Sequence, residues 1–532
     1  MTIKSKGDSI WFRLFHFKRI LSPHFYHNSK EIVKRKIKKI VVANRGEIAL
    51  RIMRTCREMG IQTVAVYSDV DRMLPFVRFS DKAFCIGAPQ PKESYLDAEK
   101  IIDVAKKTNA DAIHPGYGFL SENSSFAKLV EENGIIFIGP SSKAIETLGD
   151  KTKAKQLLRN SNVPTVPGTD EPITDIQQAK IIAKEISFPV LIKAAAGGGG
   201  KGMRIVEREE ELEDAIRLCQ SEALNSFKDS RVFIEKYLQN PRHIEIQILG
   251  DSYGNIIHLG ERECSIQRRH QKIIEESPSP IVTEELRTRM GNAAVEVAKL
   301  ANYSNAGTVE FLVDEKRNFY FLEVNTRLQV EHPVTELVTG IDLVREQIRV
   351  AEGEKLAFTQ SDISLKGSAI ECRIYAEDSA NNFFPSTGAI NYLHSPSGVG
   401  VREDKGIDEG NEISIYYDPM IAKLITYSDS RITSTKRMKR ALSEYIIDGV
   451  QTNIQACLQI ISQKDFFDGN LDTSFITKHF PNGFQNESSE EEKIAAAVFT
   501  VLFEKNNSTQ NKIKPSNGTN SVWKKKRIGN FR

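Results

Sequence analysis

The sequence predicts a protein that begins as α/β and continues as α+β: a doubly wound parallel sheet, then a mobile lid on a glycine loop, then a C-terminal α+β region. Three observations carry this. Strand and helix patterns alternate with short turns from residue 37 to 138. Four consecutive glycines, Gly197–Gly200, interrupt two apolar strands. Two further apolar strands flank a polar turn near residue 316, which is a hairpin pattern.

Taken in order, IKKIVVA (37–43) reads as a strand, and Glu47–Met59 as a helix with Ile48, Ile52, Met53, Cys56 and Met59 on one stripe. Thr63–Tyr67 returns as a strand. Asp97–Thr108 (helix), Ala112–His114 (strand), Asn123–Glu132 (helix) and Ile135–Ile138 (strand) repeat the alternation. The first turn is NRGEI rather than a Gly-x-Gly-x-x-Gly fingerprint, which argues against a dinucleotide site. Beyond residue 151, PVLIK (189–193), RIV (204–206) and Val232–Glu235 read as strands and Glu209–Leu224 as a helix, with the glycine loop between the first two strands. Residues 240–365 add strands at Glu245–Leu249, Ile256–Leu259, Thr308–Val313 and Phe319–Val324, and helices at Glu284–Ala301 and Asp342–Ala351. An α+β region runs to about Gly483. A short helix candidate, Ser488–Phe503, and an Asn/Ser/Lys-rich tail follow.

A length of 532 residues allows three or four domains of roughly 150 residues each. The net charge of +3 hides basic ends and an acidic body: residues 40–503 sum to −13. That distribution argues against a nucleic-acid surface, which needs Lys and Arg clustered on a folded face. The longest apolar stretch, Ala495–Phe503, falls far short of the ~20 residues of a membrane span. Six scattered cysteines form no Cys-x-x-Cys pair, so a reducing compartment and no structural zinc are expected. Residues 1–39 are basic and aromatic without the apolar core of a secretory signal; an organellar presequence and a plain extension both remain open.

Two places carry chemistry on their residues alone. The glycine run followed by Lys201 and Gly202 supplies backbone amides that close over phosphate oxygens, and its position inside a strand pair argues against a mere linker. In the hairpin, a turn symmetric about Lys316–Arg317 sets Glu310 opposite Glu323. Facing carboxylates repel unless a cation lies between them. Alternation places Glu323, Asn325 and Arg327 on the face of Glu310, and Leu322 and Val324 on the other. Oxygen ligands of this kind suit Mg²⁺ or Mn²⁺ held with nucleotide phosphates. By contrast, the basic run 264–272 reads by itself as a solvated loop, Arg373 as a surface residue on a strand, Cys264 as a buried small side chain, and His114 equally as a turn residue or a ligand.

VANRGEIA (42–49), HPGYGFLSEN (114–123), KAAAGGGGKGM (193–203), PRHIEIQ (241–247), QRRHQK (267–272) and EVNTRLQVEHP (323–333) together resemble the biotin carboxylase subunits of biotin-dependent acyl-CoA carboxylases, in the ATP-grasp superfamily. The resemblance covers residues 37 to 484. It implies that Lys151 and Lys193 contact ATP phosphates and that Gly199 and Gly200 lie in the lid loop. Glu235, Lys236 and Leu238 match the adenine-binding stretch, with His243, Gln267 and His270 around the nucleotide. Glu310, Glu323 and Asn325 match metal positions. Lys272, Arg327, Gln329 and Val330 match the bicarbonate pocket, Glu331 the general base, and Arg373, with Arg327, the residues at biotin.

The resemblance further implies a basic extension (1–36), an N-terminal doubly wound domain (37–150), an ATP-grasp domain (151–365, lid about 165–237), a C-terminal domain (366–484) and a tail (485–532). The implied reaction uses ATP, Mg²⁺ or Mn²⁺ and bicarbonate to carboxylate biotin through carboxyphosphate. The only Met-Lys pair, Met438–Lys439, sits in a basic helical setting, so biotin is expected in trans on a biotin carboxyl carrier protein, with a separate carboxyltransferase subunit. A homodimer in the cytoplasm, or in an organelle matrix if the extension is a presequence, is expected, with no nucleic acid and no membrane. Acetyl-CoA is the expected final acceptor, for malonyl-CoA and fatty acid synthesis; propionyl-CoA is the alternative. Another ATP-grasp ligase would lack Arg327, Gln329, Glu331 and Arg373 together. A non-catalytic nucleotide-binding subunit is disfavoured because every matched ionisable position is intact.

Overall fold

The computed structural model describes residues 34–159, 161–169, 171–173, 175–194, 203–227 and 229–485, with 494, 498 and 499. The first unit is a five-stranded sheet in the order β3-β2-β1-β4-β5, from β1 (Lys39–Val42), β2 (Gln62–Ser68), β3 (Lys82–Gly87), β4 (Ala112–His114) and β5 (Ile136–Phe137). Every pairing is parallel. Alternation in β1 sends Ile40 and Val42 to one core and Val41 to another, so both faces are covered, as a doubly wound sheet requires. Asp97 and Asn123 are caps rather than helical residues: their side chains accept from the amides of Lys100 (3.1 Å) and Phe126 (2.8 Å), so each helix starts one residue later than its pattern suggests. β3 went unpredicted because KAFCIG is half exposed and lacks clean alternation.

The region expected to be the lid contains a three-stranded antiparallel sheet, order β7-β6-β8, from β6 (Val190–Ala194), β7 (Met203–Val206) and β8 (Val232–Lys236). Two helices, Ile176–Ile186 and Leu212–Phe227, accompany it, and Ala179, Val190, Ile192, Val206, Ile216 and Ile234 form its own core. Gly199, Gly200 and Lys201 lie outside the described residues.

The third unit is an eight-stranded antiparallel sheet. It runs through β13 (Phe319–Asn325), β12 (Asn305–Val313), β9 (Arg242–Gly250), β10 (Ile256–Arg268), β11 (Gln271–Ser277), β14 (Ser368–Tyr375), and the strands Met420–Ser428 and Val401–Lys405. The sheet crosses residue 366 without a break, because β11 pairs with β14. The run 264–272 is therefore a hairpin and not a loop: β10 extends to Arg268, and only Arg269 and His270, both at positive φ, turn the chain. One face of this sheet, with Ile244, Ile246, Ile248, Val309 and Phe311, packs on Met290, Ala294 and Val297 of the helix Glu284–Leu300. The other face carries His243, Glu245, Gln247, Thr308 and Glu310, every one of them buried.

His114 ends β4 fully buried, with Nδ1 accepting from the Gly116 amide at 3.1 Å, which makes it a turn-forming core residue. Burial pushes its pKa down to about 3. The folded ring stays neutral while the unfolded one protonates near 6.5, so stability present above that pH is lost as pH falls toward 3. Compared with His114→Asn in urea unfolding, the stability advantage of the wild type is expected to shrink by about 2 kcal/mol between about pH 7.5 and about pH 5. A difference independent of pH would contradict the buried neutral ring.

Candidate active site

Four strands bring charges into one row. Glu323, Glu310, Glu245 and Arg262 are successive cross-strand partners on β13, β12, β9 and β10. Glu310 does face Glu323, but not through a symmetric turn. Near the turn Phe311 pairs with Phe321 and Val313 with Phe319, and a bulge at Leu322 shifts the register by one residue to bring the glutamates opposite. The expectation that Leu322 shares a face with Val324 is thereby corrected. Phe321 and Val324 enter the core, whereas Leu322 and Glu323 are both half-buried, because the extra residue interrupts the alternation.

Glu310 Oε1 accepts from Lys272 Nζ (3.1 Å), Asn325 Nδ2 (2.7 Å) and Gln329 Nε2 (2.9 Å). His243 Nε2 lies 2.9 Å from Oε2, a charge contact without hydrogen-bond alignment. Burial raises a carboxyl, but Lys272 and His243 outweigh it and hold Glu310 well below the usual range. Gln267 Nε2 is 2.7 Å from His243 Nδ1, which ties the hairpin 264–272 to the same cluster.

Lys272 is the hub. Its ammonium also donates to Glu245 Oε2 (2.5 Å) and Glu331 Oε1 (2.6 Å), so one cation serves three buried carboxylates. Arg373 is a buried strand residue rather than a surface one. It donates to Glu331 Oε2 (3.0 Å) and Glu275 Oε1 (2.6 Å). Burial works to raise Glu331, yet Lys272, Arg373 and Arg262 together keep it far below the usual carboxylate range. Glu275 goes the other way, pushed up to about 7 by burial in spite of Arg373.

Arg262 escaped the sequence reading. It is fully buried and binds Glu245, Gln247 (2.6 Å), Thr308 (3.0 Å), Thr335 (3.0 Å) and Gln329 Oε1 (2.7 Å). Gln329 thus bridges Arg262 and Glu310. Glu122, at the end of the 114–123 motif, was missed too: it accepts from Arg327 Nε (2.8 Å) and the Thr326 amide (3.0 Å). Arg327 Nη2 also donates to Asn325 Oδ1 at 3.2 Å. The available signal for both was their place inside motifs or on alternating strands.

A second cluster joins the three-stranded sheet to the helix Lys151–Leu158. Glu235 is ion-paired to Lys193 (2.5 Å) and to Lys155, another residue not anticipated. Lys236 Nζ donates to the carbonyls of Ser187 (2.9 Å) and Phe188 (3.1 Å), and Leu238 follows half-buried. His270 is exposed at the hairpin tip. Lys151 begins the helix Lys151–Leu158, but its side chain, like Gly199 and Gly200, lies outside the described residues.

Glu310 and Glu323 are cross-strand partners with Asn325 two residues on, and their oxygens are of the kind Mg²⁺ or Mn²⁺ takes; in this structure Glu310 Oε1 accepts from Lys272, Asn325 and Gln329, and Asn325 Oδ1 from Arg327. His243, Glu245 and Glu310 also offer ligand atoms within 4.8 Å of one another, but Glu245 is already neutralised by Arg262 and Lys272. Cys264 is no nucleophile: burial, reinforced by Glu245, pushes its thiol well above the usual range. All six cysteines are free thiols. Among the described residues no helix is long and apolar enough to cross a membrane.

A small antiparallel three-stranded unit together with a larger sheet, one face of which gathers carboxylates, lysines and arginines, fits an ATP-grasp enzyme. The chain matches the models of the biotin carboxylase N-terminal domain over residues 36–145, the carbamoyl-phosphate synthase L chain ATP binding domain over 150–359, and the biotin carboxylase C-terminal domain over 371–478. It is 52% identical over 469 residues to the mitochondrial propionyl-CoA carboxylase alpha chain of Sus scrofa, spanning 87% of this chain but only 64% of that protein. Against biotin carboxylase 1 of Bacillus subtilis it is 52% identical over 441 residues, 83% of this chain and 98% of the relative. The chain belongs to the biotin carboxylase family. A similar solved structure is the biotin carboxylase domain dimer of Hydrogenobacter thermophilus 2-oxoglutarate carboxylase with MgADP, ADP and bicarbonate. It shows a TM-score of 0.78 and 50% identity over 84% of this chain and 98% of that one.

Proposed function

We propose that this chain carboxylates biotin, using ATP and bicarbonate, with the biotin carried on a separate carrier protein. The observation that carries the reading is Glu331: a fully buried carboxylate kept ionised between Lys272 and Arg373. Such a group is a base waiting for a substrate anion. Bicarbonate that engages Lys272 and Arg373 weakens their hold on Glu331, whose proton affinity rises as the substrate's proton comes within reach. The deprotonated bicarbonate oxygen then attacks the γ-phosphorus of ATP, the bond to the β-phosphate bridge oxygen breaks, and ADP and carboxyphosphate form.

In this reading Glu310, Glu323 and Asn325 hold the divalent ion, which when bound supplies charge neutralisation for the phosphate oxygens. Lys193 and the glycine loop take the phosphates, with Lys151, and Glu235, Lys236 and Leu238 line the base. Carboxyphosphate releases CO₂ and phosphate; the phosphate takes the proton of the biotin ureido nitrogen, and that nitrogen attacks CO₂. Arg327 stabilises the oxygen on which negative charge develops. Closure of the lid excludes the water that would consume the intermediate.

The final acceptor belongs to the carboxyltransferase partner. Names of relatives at about 50% identity point to propionyl-CoA and 2-oxoglutarate, so the acetyl-CoA expectation draws no preference from them, and propionyl-CoA is at least as well supported. The cytoplasmic expectation is likewise without support from the Sus scrofa chain, which is named mitochondrial. A dimer is supported by the dimeric relative.

The test is ADP release with and without bicarbonate and free biotin. Release that needs bicarbonate and rises with biotin is expected. A ligase for another acid would ignore biotin, and a nucleotide-binding subunit without chemistry would show no turnover; either result ends the proposal.

A further inference from the structure

Lys423 is the one lysine among the largest fully buried side chains of the described residues, and no step above uses it. It stands on the strand Met420–Ser428, where Arg373 and Asp404 are its cross-strand partners. Its ammonium donates to the backbone carbonyl of Val330 at 2.8 Å and lies 3.3 Å from Glu47 Oε2 and 5.9 Å from the centre of the Tyr117 ring. Neither oxygen of Glu47 has a hydrogen bond among the described residues. Lys423 therefore joins three distant pieces of chain: the first helix of the N-terminal unit, the 114–123 motif and the turn at residues 329–331.

We propose that Lys423 is a positioning residue that sets the bicarbonate pocket through the carbonyl of Val330. The inference rests on the biotin carboxylase reading above and adds a residue to it. The Val330 carbonyl and the Glu331 amide belong to one planar peptide unit, so holding that oxygen holds the plane from which the Glu331 side chain departs. Gln329 and Glu331 are gripped from the sheet side by Arg262, Glu310, Lys272 and Arg373. Lys423 grips the turn between them through its backbone. The pocket is thereby clamped on both sides, and the register of the base does not depend on whether bicarbonate has drawn Lys272 away.

Among the described residues Lys423 donates to one carbonyl only, and Glu47, Glu371 and Asp404 feel its charge without receiving a hydrogen bond from it, which is a poor route to stability for a buried ammonium. Replacing such a pair by apolar side chains of similar volume is often neutral or better. The charge is thus explained by what it holds. Lys423→Met removes the donor but strands Glu47, so the double change Glu47→Gln with Lys423→Met is the gentler variant, and its melting temperature shows whether the remaining carboxylates, Glu371 and Asp404, tolerate the loss. Glu47→Gln alone leaves the bond to Val330 in place.

Steady-state ADP release, with bicarbonate and ATP varied in turn, and thermal melts are measured on the full chain. Lys423→Met and the double variant are expected to raise the bicarbonate KM about tenfold or more, with the ATP KM within about twofold of the wild type, because the loss falls on one substrate's pocket. Glu47→Gln is expected to stay within about twofold on both substrates. A double variant that melts like the wild type with an unchanged bicarbonate KM overturns the proposal. So does one that melts early or loses both substrates alike, since Lys423 is then a structural tie only. A wild-type chain without bicarbonate-dependent ADP release instead removes the underlying reading, and that is seen before any variant is made.

Discussion

Lys272→Met is expected to stop turnover and to destabilise the fold together. Its ammonium is the common partner of Glu245, Glu310 and Glu331, all buried. Removing one member of a buried ion cluster leaves uncompensated charge and costs about 3–5 kcal/mol. Arg262 still holds Glu245, His243 still faces Glu310 and Arg373 still donates to Glu331, so each carboxylate keeps one cation, while Glu331 loses the strongest of those that hold it down. With its main cation gone, Glu331 rises toward protonation and no longer accepts a proton from bicarbonate. A drop in kcat/KM for bicarbonate of about 10³-fold, with a lower melting temperature, is the result to look for. Lys272→Arg separates the two effects: it keeps the charge and should recover stability more fully than turnover, because a planar fork does not reach three carboxylates as a compact ammonium does. A methionine variant with native melting and near-native turnover would show that the cluster is not the site.

Arg327→Ala is expected to behave differently. The side chain is 21% exposed, and its partner Glu122 is 39% exposed, so losing the pair costs stability less than about 1 kcal/mol. Nucleotide contacts are expected from the lid cluster around Glu235 and Lys193, which Arg327 does not share, so ATP should still bind within about twofold of the wild type by calorimetry. What is lost is the guanidinium facing charge that develops during carboxylation, worth about 10²–10³-fold in kcat for one such donor. Biotin-stimulated ADP release would fall accordingly. Normal carboxylation by this variant would refute the role given to Arg327, and weakened ATP binding would move that residue into the nucleotide site.

Much of this architecture is local in origin and could be read without coordinates. Alternation of strand and helix needs only short-range periodicity, and the elements it did name in the first unit lie within a residue or two of those observed; the half-exposed β3 and the short helices Pro75–Phe79 and Ser142–Gly149 were missed. Capping by Asp97 and Asn123 accounts for two of the small differences. In β9 isoleucines alternate with His243, Glu245 and Gln247, a two-faced pattern that goes beyond the strand expected over Glu245–Leu249. It did not say that the polar face would be buried, because what covers that face comes from other parts of the chain. Glu331 and Arg373 received their expected roles through family resemblance, whereas Arg373 by its residue type alone read as a surface group.

What the amino-acid order determined by itself is the parallel first sheet, the glycine run between two strands and the hairpin that carries Glu310 and Glu323. Tertiary structure decided the rest: the bulge at Leu322 that brings those two glutamates opposite, the hairpin at 264–272 where a loop was expected, Arg262 and Lys272 as cations of a buried network, and Glu122 on Arg327 across 205 residues. The division is physical. Backbone periodicity acts over a few residues, whereas a buried charge is stable only beside partners that folding brings from far along the chain.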